Sequence, residues 1–286
     1  VTGAFKAACI QLSSGREVEP NIAALGDLVR RARAAGAELI MTPEVSDMME
    51  PKRALRLAKA KDEAAHPMLT ACRALARETG AWLLLGSAVV RRDDGSDDRL
   101  ANRSFLIAPD GGIAARYDKI HMFDVELEGG ESYRESNAFH PGEAAVLASL
   151  PWGVLGMTIC YDLRFPHLYR ALAQAGADFL SIPSAFTVPT GRAHWHVLMR
   201  ARAIETGCFV FSPAQWGEHA EGRKTYGHSL IVAPWGEILA EADDGTGFIT
   251  ADVDPVKITE SRRKVPSLSH DRPFTAPKRA RALAAE

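Results

Sequence analysis

Three short stretches of this chain occur twice, in the same order and at comparable separations. Gly36-Ala37-Glu38-Leu39-Ile40-Met41-Thr42-Pro43 is echoed by Gly176-Ala177-Asp178-Phe179-Leu180-Ser181-Ile182-Pro183. Glu78-Thr79-Gly80-Ala81-Trp82 is echoed by Glu205-Thr206-Gly207-Cys208-Phe209, and Ser104-Phe105-Leu106-Ile107-Ala108-Pro109-Asp110-Gly111 by Ser229-Leu230-Ile231-Val232-Ala233-Pro234-Trp235-Gly236. Each pair alone is weak, but three in order describe two similar strand-helix halves. If each half is a sheet covered by helices on one face, the two free faces can bury against each other. The expected fold is therefore α/β, a four-layer α-β-β-α sandwich in a single domain over residues 1–275, with a C-terminal tail over 276–286. An open doubly wound sheet is the alternative; the turns at Pro109-Asp110 and Pro234-Trp235 require antiparallel pairs, which count against it.

Local pattern fills in the halves. Phe5 to Leu12 reads as a strand, Pro20 to Gly36 as a helix and Ala37 to Met41 as a second strand. Helical periodicity runs from Lys52 to Thr79 with a break at His66-Pro67. Ala81 to Val90 is strand-like, the charged tip 91–99 reads as a solvated hairpin loop, and Asp118 to Gly142 is a long irregular stretch of the kind that is functional or disordered. Later come a strand at Ala177 to Ile182, a helix at His194 to Glu205, strands at Phe209 to Ser212 and Gly247 to Val253, a hairpin at His228 to Glu241, and a polar tail.

Composition removes several classes of function. The formal charge of −2 over 286 residues gives no basic excess for nucleic acid or an anionic membrane, and no apolar run is long enough to cross a bilayer. Val1-Thr2-Gly3-Ala4-Phe5-Lys6 leads straight into a strand-like run without the basic, apolar and cleavage regions of a signal, so a cytoplasmic protein is expected. Cys9, Cys72, Cys160 and Cys208 are scattered, with no CxxC or Cys/His ligand spacing. Disulfides are not expected, and Cys9, Cys72 and Cys208 lie in apolar patterns that suit core packing. His194 and His196 are two apart with no carboxylate-histidine set in view, so neither a metal site nor a cofactor is expected.

Cys160 differs from the other three. An apolar run from Val154 to Ile159 ends at it, Pro166 suits a first helical turn, Leu168, Leu172 and Ala175 recur at helical spacing, and Gly176 supplies a stop. A cysteine on a strand-to-helix corner with basic neighbours is placed to favour thiolate, although a small buried hydrophobe is the plainer reading of such a residue. Glu44 at a strand end, Lys119 at the start of the long loop and Glu135 within it would each pass, alone, for a cap or a solvated charge.

Together they carry a resemblance. Thr42-Pro43-Glu44, Tyr117-Asp118-Lys119-Ile120-His121-Met122-Phe123-Asp124 and Ile159-Cys160-Tyr161-Asp162-Leu163-Arg164-Phe165-Pro166 are similar to the three signature segments of the nitrilase, or carbon-nitrogen hydrolase, superfamily, in that family's order Glu, Lys, Cys. Pro183 to Thr187, His194-Trp195, Arg200 to Glu205 and Tyr226 to Ser229 extend the resemblance over nearly the whole chain to about Pro273. It implies a sandwich of the nitrilase type and amide or nitrile hydrolysis through a cysteine thioester. Carried over, Cys160 is the nucleophile, Glu44 the general base, Lys119 the stabiliser of the tetrahedral intermediate and Glu135 the additional carboxylate. The chemistry asks for the same types, because an amide needs a thiol nucleophile, a cation or donors at the oxyanion and a proton for the departing amine. The backbone N–H of Tyr161 would share the oxyanion with Lys119.

The segments Ser184-Ala185-Phe186, Gly191 to Trp195, Ala214-Gln215-Trp216-Gly217 and Arg223 to Ser229 resemble the branch that hydrolyses deaminated glutathione, an α-keto-acid amide, to α-ketoglutarate and cysteinylglycine. Such a substrate carries carboxylates, so cations are expected in the pocket. Arg164 is the first candidate clamp, with a structural ion pair an equal reading. His121, Tyr161 and Phe186 are candidate pocket residues, His121 and Phe186 being as readily structural. The alternatives are an ω-amidase acting on α-ketoglutaramate, a hydrolase of carbamoyl amines or carbamoyl amino acids and, in a different class, a non-catalytic scaffold. The resemblance also implies a homodimer.

Overall fold

The computed structural model describes residues 3–92, 97–126 and 132–276. The tip of the charged loop and the tail from 277 onward lie outside those residues, as do the expectations attached to them.

The first sheet is built from β1 (Phe5–Gln11), β2 (Leu39–Met41), the short β3 (Lys61–Asp62), β4 (Trp82–Arg91), β5 (Ala101–Ile107) and β6 (Ile113–Asp118). β1, β2 and β4 run parallel, as crossover helices require, and β5 and β6 return antiparallel through tight turns. Helices α1 (Val18–Ala34), α2 (Arg53–Lys59) and α3 (Pro67–Thr79) link the parallel strands. The helical run is already interrupted after Lys59, by β3 and a 3-10 turn at Glu63–Ala65, so Pro67 opens α3 instead of breaking a helix, and the His66 ring accepts from the Leu69 N–H at that start.

Two short strands, β7 (Asp124–Glu126) and β8 (Ser132–Arg134), pair within the long loop. The second sheet follows with β9 (Val146–Leu150), β10 (Gly153–Met157), β11 (Phe179–Ser181) and β12 (Phe209–Ser212), linked by α4 (Pro166–Gln174) and α5 (Val188–Thr206). After a separate hairpin, β13 (Trp216–Glu218) and β14 (Lys224–Tyr226), β15 (Leu230–Val232) and β16 (Ile238–Glu241) complete that sheet; β17 (Gly247–Val253) returns to the first. Helix α6 (Val256–Lys264) closes the order where the sequence pattern suggested only a polar tail. Its nine residues bury only Ile258 and Ser261, too little apolar periodicity to announce a helix.

The two sheets have the same plan. One runs β17-β1-β2-β4-β5-β6 and the other β9-β10-β11-β12-β15-β16, each with one antiparallel edge, three parallel strands and two antiparallel returns. The three echoed stretches fall at equivalent places: into β2 and β11, from α3 to β4 and from α5 to β12, and along β5 and β15 into their turns. Side-chain alternation sets the layers. Phe5, Ala7, Cys9, Leu39, Met41 and Leu84 pack with the second half, whereas Ala8, Ile10, Ile40, Leu83 and Leu85 face α1 and α3. The α-β-β-α sandwich is thus the architecture, and it brings the strand ends of both halves to one place.

Candidate active site

Glu44 sits just past β2, on a corner that its neighbour strand is shaped to hold. The β4 ladder slips between Leu85 and Ala88, and the two residues in the irregularity take hold of the corner. Gly86 N–H donates to Thr42 Oγ1 (3.0 Å), Val45 N–H to Ser87 Oγ (2.8 Å) and Ser46 N–H to the Ser87 carbonyl (3.0 Å). A Cβ on Gly86 would lie 1.8 Å from the Thr42 carbonyl oxygen, so only glycine permits this approach. Val45 is driven to φ 46°, an uncommon conformation for a β-branched residue that costs about 1–3 kcal/mol and persists because these bonds over-determine it.

Cys160 lies in the other half, past the end of β10, at the start of a 3-10 turn, Cys160–Arg164, rather than at the head of an α-helix. Its φ is 47° and its N–H donates to the Pro183 carbonyl (2.9 Å). The turn is fixed by Asp162, which is fully buried and accepts from Ile159 N–H (2.8 Å), Tyr117 Oη (2.7 Å) and His121 N–H (3.0 Å). Tyr117 and His121 stand two residues either side of Lys119. Asp162 therefore bolts the segment carrying the lysine to the turn carrying the thiol.

At the junction, Lys119 Nζ donates to Glu44 Oε1 (2.8 Å) and to Glu135 Oε1 and Oε2 (2.9 and 2.8 Å). Asn102 on β5 donates from Nδ2 to Glu44 Oε1 (3.0 Å) and Glu135 Oε1 (3.3 Å). The Cys160 thiol meets the Glu44 carboxylate and the Ala185 backbone amide. Glu44, Lys119, Glu135 and Cys160, drawn from four distant points of the chain, share one centre.

Their charge states follow from burial and from one another. Burial raises the Glu44 carboxyl, but the Lys119 ammonium, with hydrogen bonds from Lys119 and Cys160, more than reverses this and leaves it below its ordinary value. Burial opposes the charge on Lys119, and the Glu135 and Glu44 carboxylates overcome it, holding the ammonium well above its usual range. Burial and the Glu44 carboxylate push the Cys160 thiol well up, and Lys119 offsets only part of that. The expectation that the corner favours thiolate is therefore corrected: the group at rest is a neutral thiol beside an ionised carboxylate. The 3-10 turn supplies no long helix to stabilise the anion, and the Glu44 carboxylate disfavours it.

A cavity of about 640 Å³ opens on this centre. Tyr161 and Phe186 line it. Arg164 and His121 do not. The Arg164 guanidinium lies 5.9 Å from the Tyr161 ring and 5.6 Å from the Phe186 ring, with His194 Nδ1 3.3 Å away, behind that part of the wall. His121 is spent on Asp162 (2.7 Å) and stacks on Phe165 at 3.5 Å. Arg56 and Arg223 are among the arginines that line the cavity instead, and Asn102 joins the centre. Sequence reasoning missed all three: Arg56 and Arg223 look like ordinary surface charges, and Asn102 carries no sign beyond being polar in an apolar strand. The histidines also regroup. His196 Nε2 and His228 Nδ1 both contact Glu241 Oε1 (2.8 and 2.9 Å), a carboxylate-histidine set that the sequence spacing did not reveal.

Comparison with known proteins agrees with this architecture. The carbon-nitrogen hydrolase family model matches residues 6–263. Deaminated glutathione amidase of Homo sapiens is 40% identical over 270 residues, covering 93% of this chain and 82% of its own length. The enzyme of the same name from Yersinia enterocolitica is 38% identical over 267 residues, covering 93% and 92%. Among solved structures, the C. elegans NitFhit protein superposes with a TM-score of 0.88 at 36% identity over 95% of this chain, which spans 66% of that longer one. Saccharomyces cerevisiae Nit3, a member of branch 10 of the nitrilase superfamily, gives 0.81 at 28% identity over 92% and 95%. With nine-tenths of its sequence matched and both halves of the sandwich superposed, this chain belongs to the carbon-nitrogen hydrolase family.

Proposed function

We propose that this enzyme hydrolyses the amide of deaminated glutathione, with Cys160 as nucleophile, Glu44 as general base and acid, Lys119 at the oxyanion and Glu135 holding Lys119. The observation that carries the chemistry is the Glu44–Lys119–Glu135 hydrogen-bonded group against the Cys160 thiol. Sγ attacks the amide carbon while its proton passes to Glu44. A neutral thiol beside an ionised base is the right starting pair, since the proton moves only as the C–S bond forms.

Lys119 has three donors, and at rest all three are bound to Glu44 and Glu135. Once Glu44 takes the thiol proton it loses its charge and its hold on Lys119, and the released N–H can turn to the developing oxyanion together with Tyr161 N–H. The intermediate collapses by expelling the amine, which leaves with the proton from Glu44, and a thioester remains on Cys160. Water attacks the thioester as Glu44 takes its proton, and the thiolate recovers that proton as the acid departs.

The names of the human and Yersinia relatives support the substrate. Turnover of a panel tests it: kcat/KM for deaminated glutathione should exceed that for α-ketoglutaramate, and the reverse order would assign an ω-amidase. Residues 1–275 act as one catalytic unit, because neither half alone holds both thiol and base, with 276–286 as an appended tail.

A homodimer fits an exposed apolar stripe. Val197 (68% exposed) and Ile204 (55%) lie on α5, and Ile204 adjoins the turn at Trp235 (52%) and Gly236. Light scattering at micromolar concentration should give twice the chain mass. Four buried, unpaired cysteines suit the reducing cytoplasm, and no helix among the described residues is long and apolar enough to cross a membrane.

A further inference from the structure

The cavity is lined by four arginines of unequal status. Arg53 pairs with Asp98 and Arg134 with Glu126. Arg56 and Arg223 form no salt bridge among the described residues. Arg56 donates to the Glu50 carbonyl from Nε (2.9 Å) and Nη2 (2.6 Å) and lies 5.2 Å from the Phe139 ring. Arg223 donates from Nη2 to the Ala185 carbonyl (3.3 Å) and lies 5.7 Å from the Tyr133 ring. Its Nε is buried with no hydrogen-bond partner among the described residues.

An unmet buried donor on a guanidinium is costly, and native structures keep few of them. Arg223 is also a neighbour in charge to both Arg56 and Glu44: burial first, then Arg223, lowers the Arg56 guanidinium below its ordinary value, and Arg223 helps to hold Glu44 down. The other carboxylates on the wall are matched, Glu50 by Lys59 and Glu221 by Arg16 and Lys52. The Lys119, Glu44 and Glu135 group carries one net negative charge, so among the described residues the two guanidiniums without a salt bridge leave one positive charge in excess. Such a cavity is short of one anion.

We infer that Arg223, with Arg56, forms a clamp for one carboxylate of the substrate, set beside the reacting centre and distinct from Arg164. This rests on the amidase reading and deepens it: the clamp selects amides that bear an anionic group away from the scissile bond. A planar guanidinium presenting Nε can take a carboxylate in a two-pronged bond. Deaminated glutathione offers two carboxylates, on its keto-acid and glycine ends.

The test is equilibrium binding to Cys160→Ala protein, which cannot form the thioester, using deaminated glutathione and its two N-methylamides, each masking one carboxylate. Masking the clamped carboxylate should weaken binding to Cys160→Ala by about 10–100-fold, the size of a charge-assisted pair. In Cys160→Ala carrying Arg223→Gln, the same masking should cost less than about 3-fold, because the partner is already gone. Arg56→Gln in the same background should reduce the penalty less, and Arg223→Lys should retain part of it. If Arg223→Gln fails to fold, these two variants carry the comparison.

The arm that shows coupling identifies which carboxylate is held. Equal masking penalties with and without the arginines, or no binding of any of the three compounds, overturn the clamp. Turnover of deaminated glutathione by the unmodified enzyme is read separately. Arg-dependent binding without turnover would keep the clamp and reject the proposed function; turnover without Arg-dependent binding would do the reverse.

Discussion

Two corners of this molecule are built alike and employed differently. After β2 the chain runs Thr42-Pro43-Glu44-Val45-Ser46, and after β11, at the equivalent place in the other half, Ile182-Pro183-Ser184-Ala185-Phe186. In both, the residue before proline donates to the neighbouring strand, Thr42 N–H to the Leu84 carbonyl (3.0 Å) and Ile182 N–H to the Phe211 carbonyl (2.8 Å). Both also end on one residue, Gln215. Its Nε2 donates to the Glu44 carbonyl (3.0 Å) and its backbone N–H to the Ser184 carbonyl (2.9 Å).

What differs is the side chain and the strain. Glu44 projects into the junction between the sheets, with Val45 forced to positive φ, and meets Lys119 and Cys160. Ser184 turns back, donating from Oγ to the Ile182 carbonyl (2.9 Å), and this corner gives the thiol only the Ala185 amide. The repeat thus supplies two equivalent platforms, and the proposed chemistry lives where the repeat is broken.

The most disruptive change to this asymmetry is Glu44→Gln. The amide keeps the shape and the bond to Lys119 but cannot take the thiol proton, so kcat/KM for the amide substrate should fall by roughly 10²–10⁴ with the circular dichroism spectrum unchanged. Retained turnover would mean that the first corner is as passive as the second.

A smaller effect concerns how the first corner is tuned. As the proposed base Glu44 must be ionised, and Lys119 keeps its carboxyl below the ordinary range, so activity should persist as pH falls through that range and fail only below it. Replacing Asn102 with Leu removes a donor to the ionised form (3.0 Å), so the acid limb of kcat/KM should move up by about one pH unit, since each unit corresponds to 1.36 kcal/mol. A limb that stays in place would show that Asn102 serves packing rather than charge.

Much of the fold and the heart of the site were legible in the sequence because they rest on local or repeated pattern. The echoed stretches predicted two halves, His66-Pro67 marked a helix boundary, and Glu44, Lys119, Glu135 and Cys160 lie in recognisable segments. What stayed hidden depends on tertiary meeting points. Asp162 reads as a helix-start carboxylate until Tyr117 and His121 are folded onto it, and Arg164 and Arg223 are equivalent cations until a cavity is drawn beside one of them. The charge state of Cys160 is hidden for the same reason: its basic neighbours are visible along the chain, whereas the carboxylate that raises its pKa comes from 116 residues away, across the sheet interface.

The smallest expected effect is the sharpest check on the comparison. Ser184→Ala removes one buried hydroxyl whose partner, the Ile182 carbonyl, is left without that donor, and should cost about 1 kcal/mol of stability in chemical denaturation. Because the backbone N–H of Ser184 still donates to Pro213 (3.0 Å) and its carbonyl still accepts from Gln215, the corner should stay in place and the Ala185 amide should still reach the thiol. Activity should therefore change by less than about 3-fold, against the orders of magnitude lost at the matching position in the other half. A large loss of kcat from so small a deletion would mean that the second corner tunes the nucleophile through Ser184 as well as through Ala185, and that the two platforms share the chemistry more evenly than their side chains suggest.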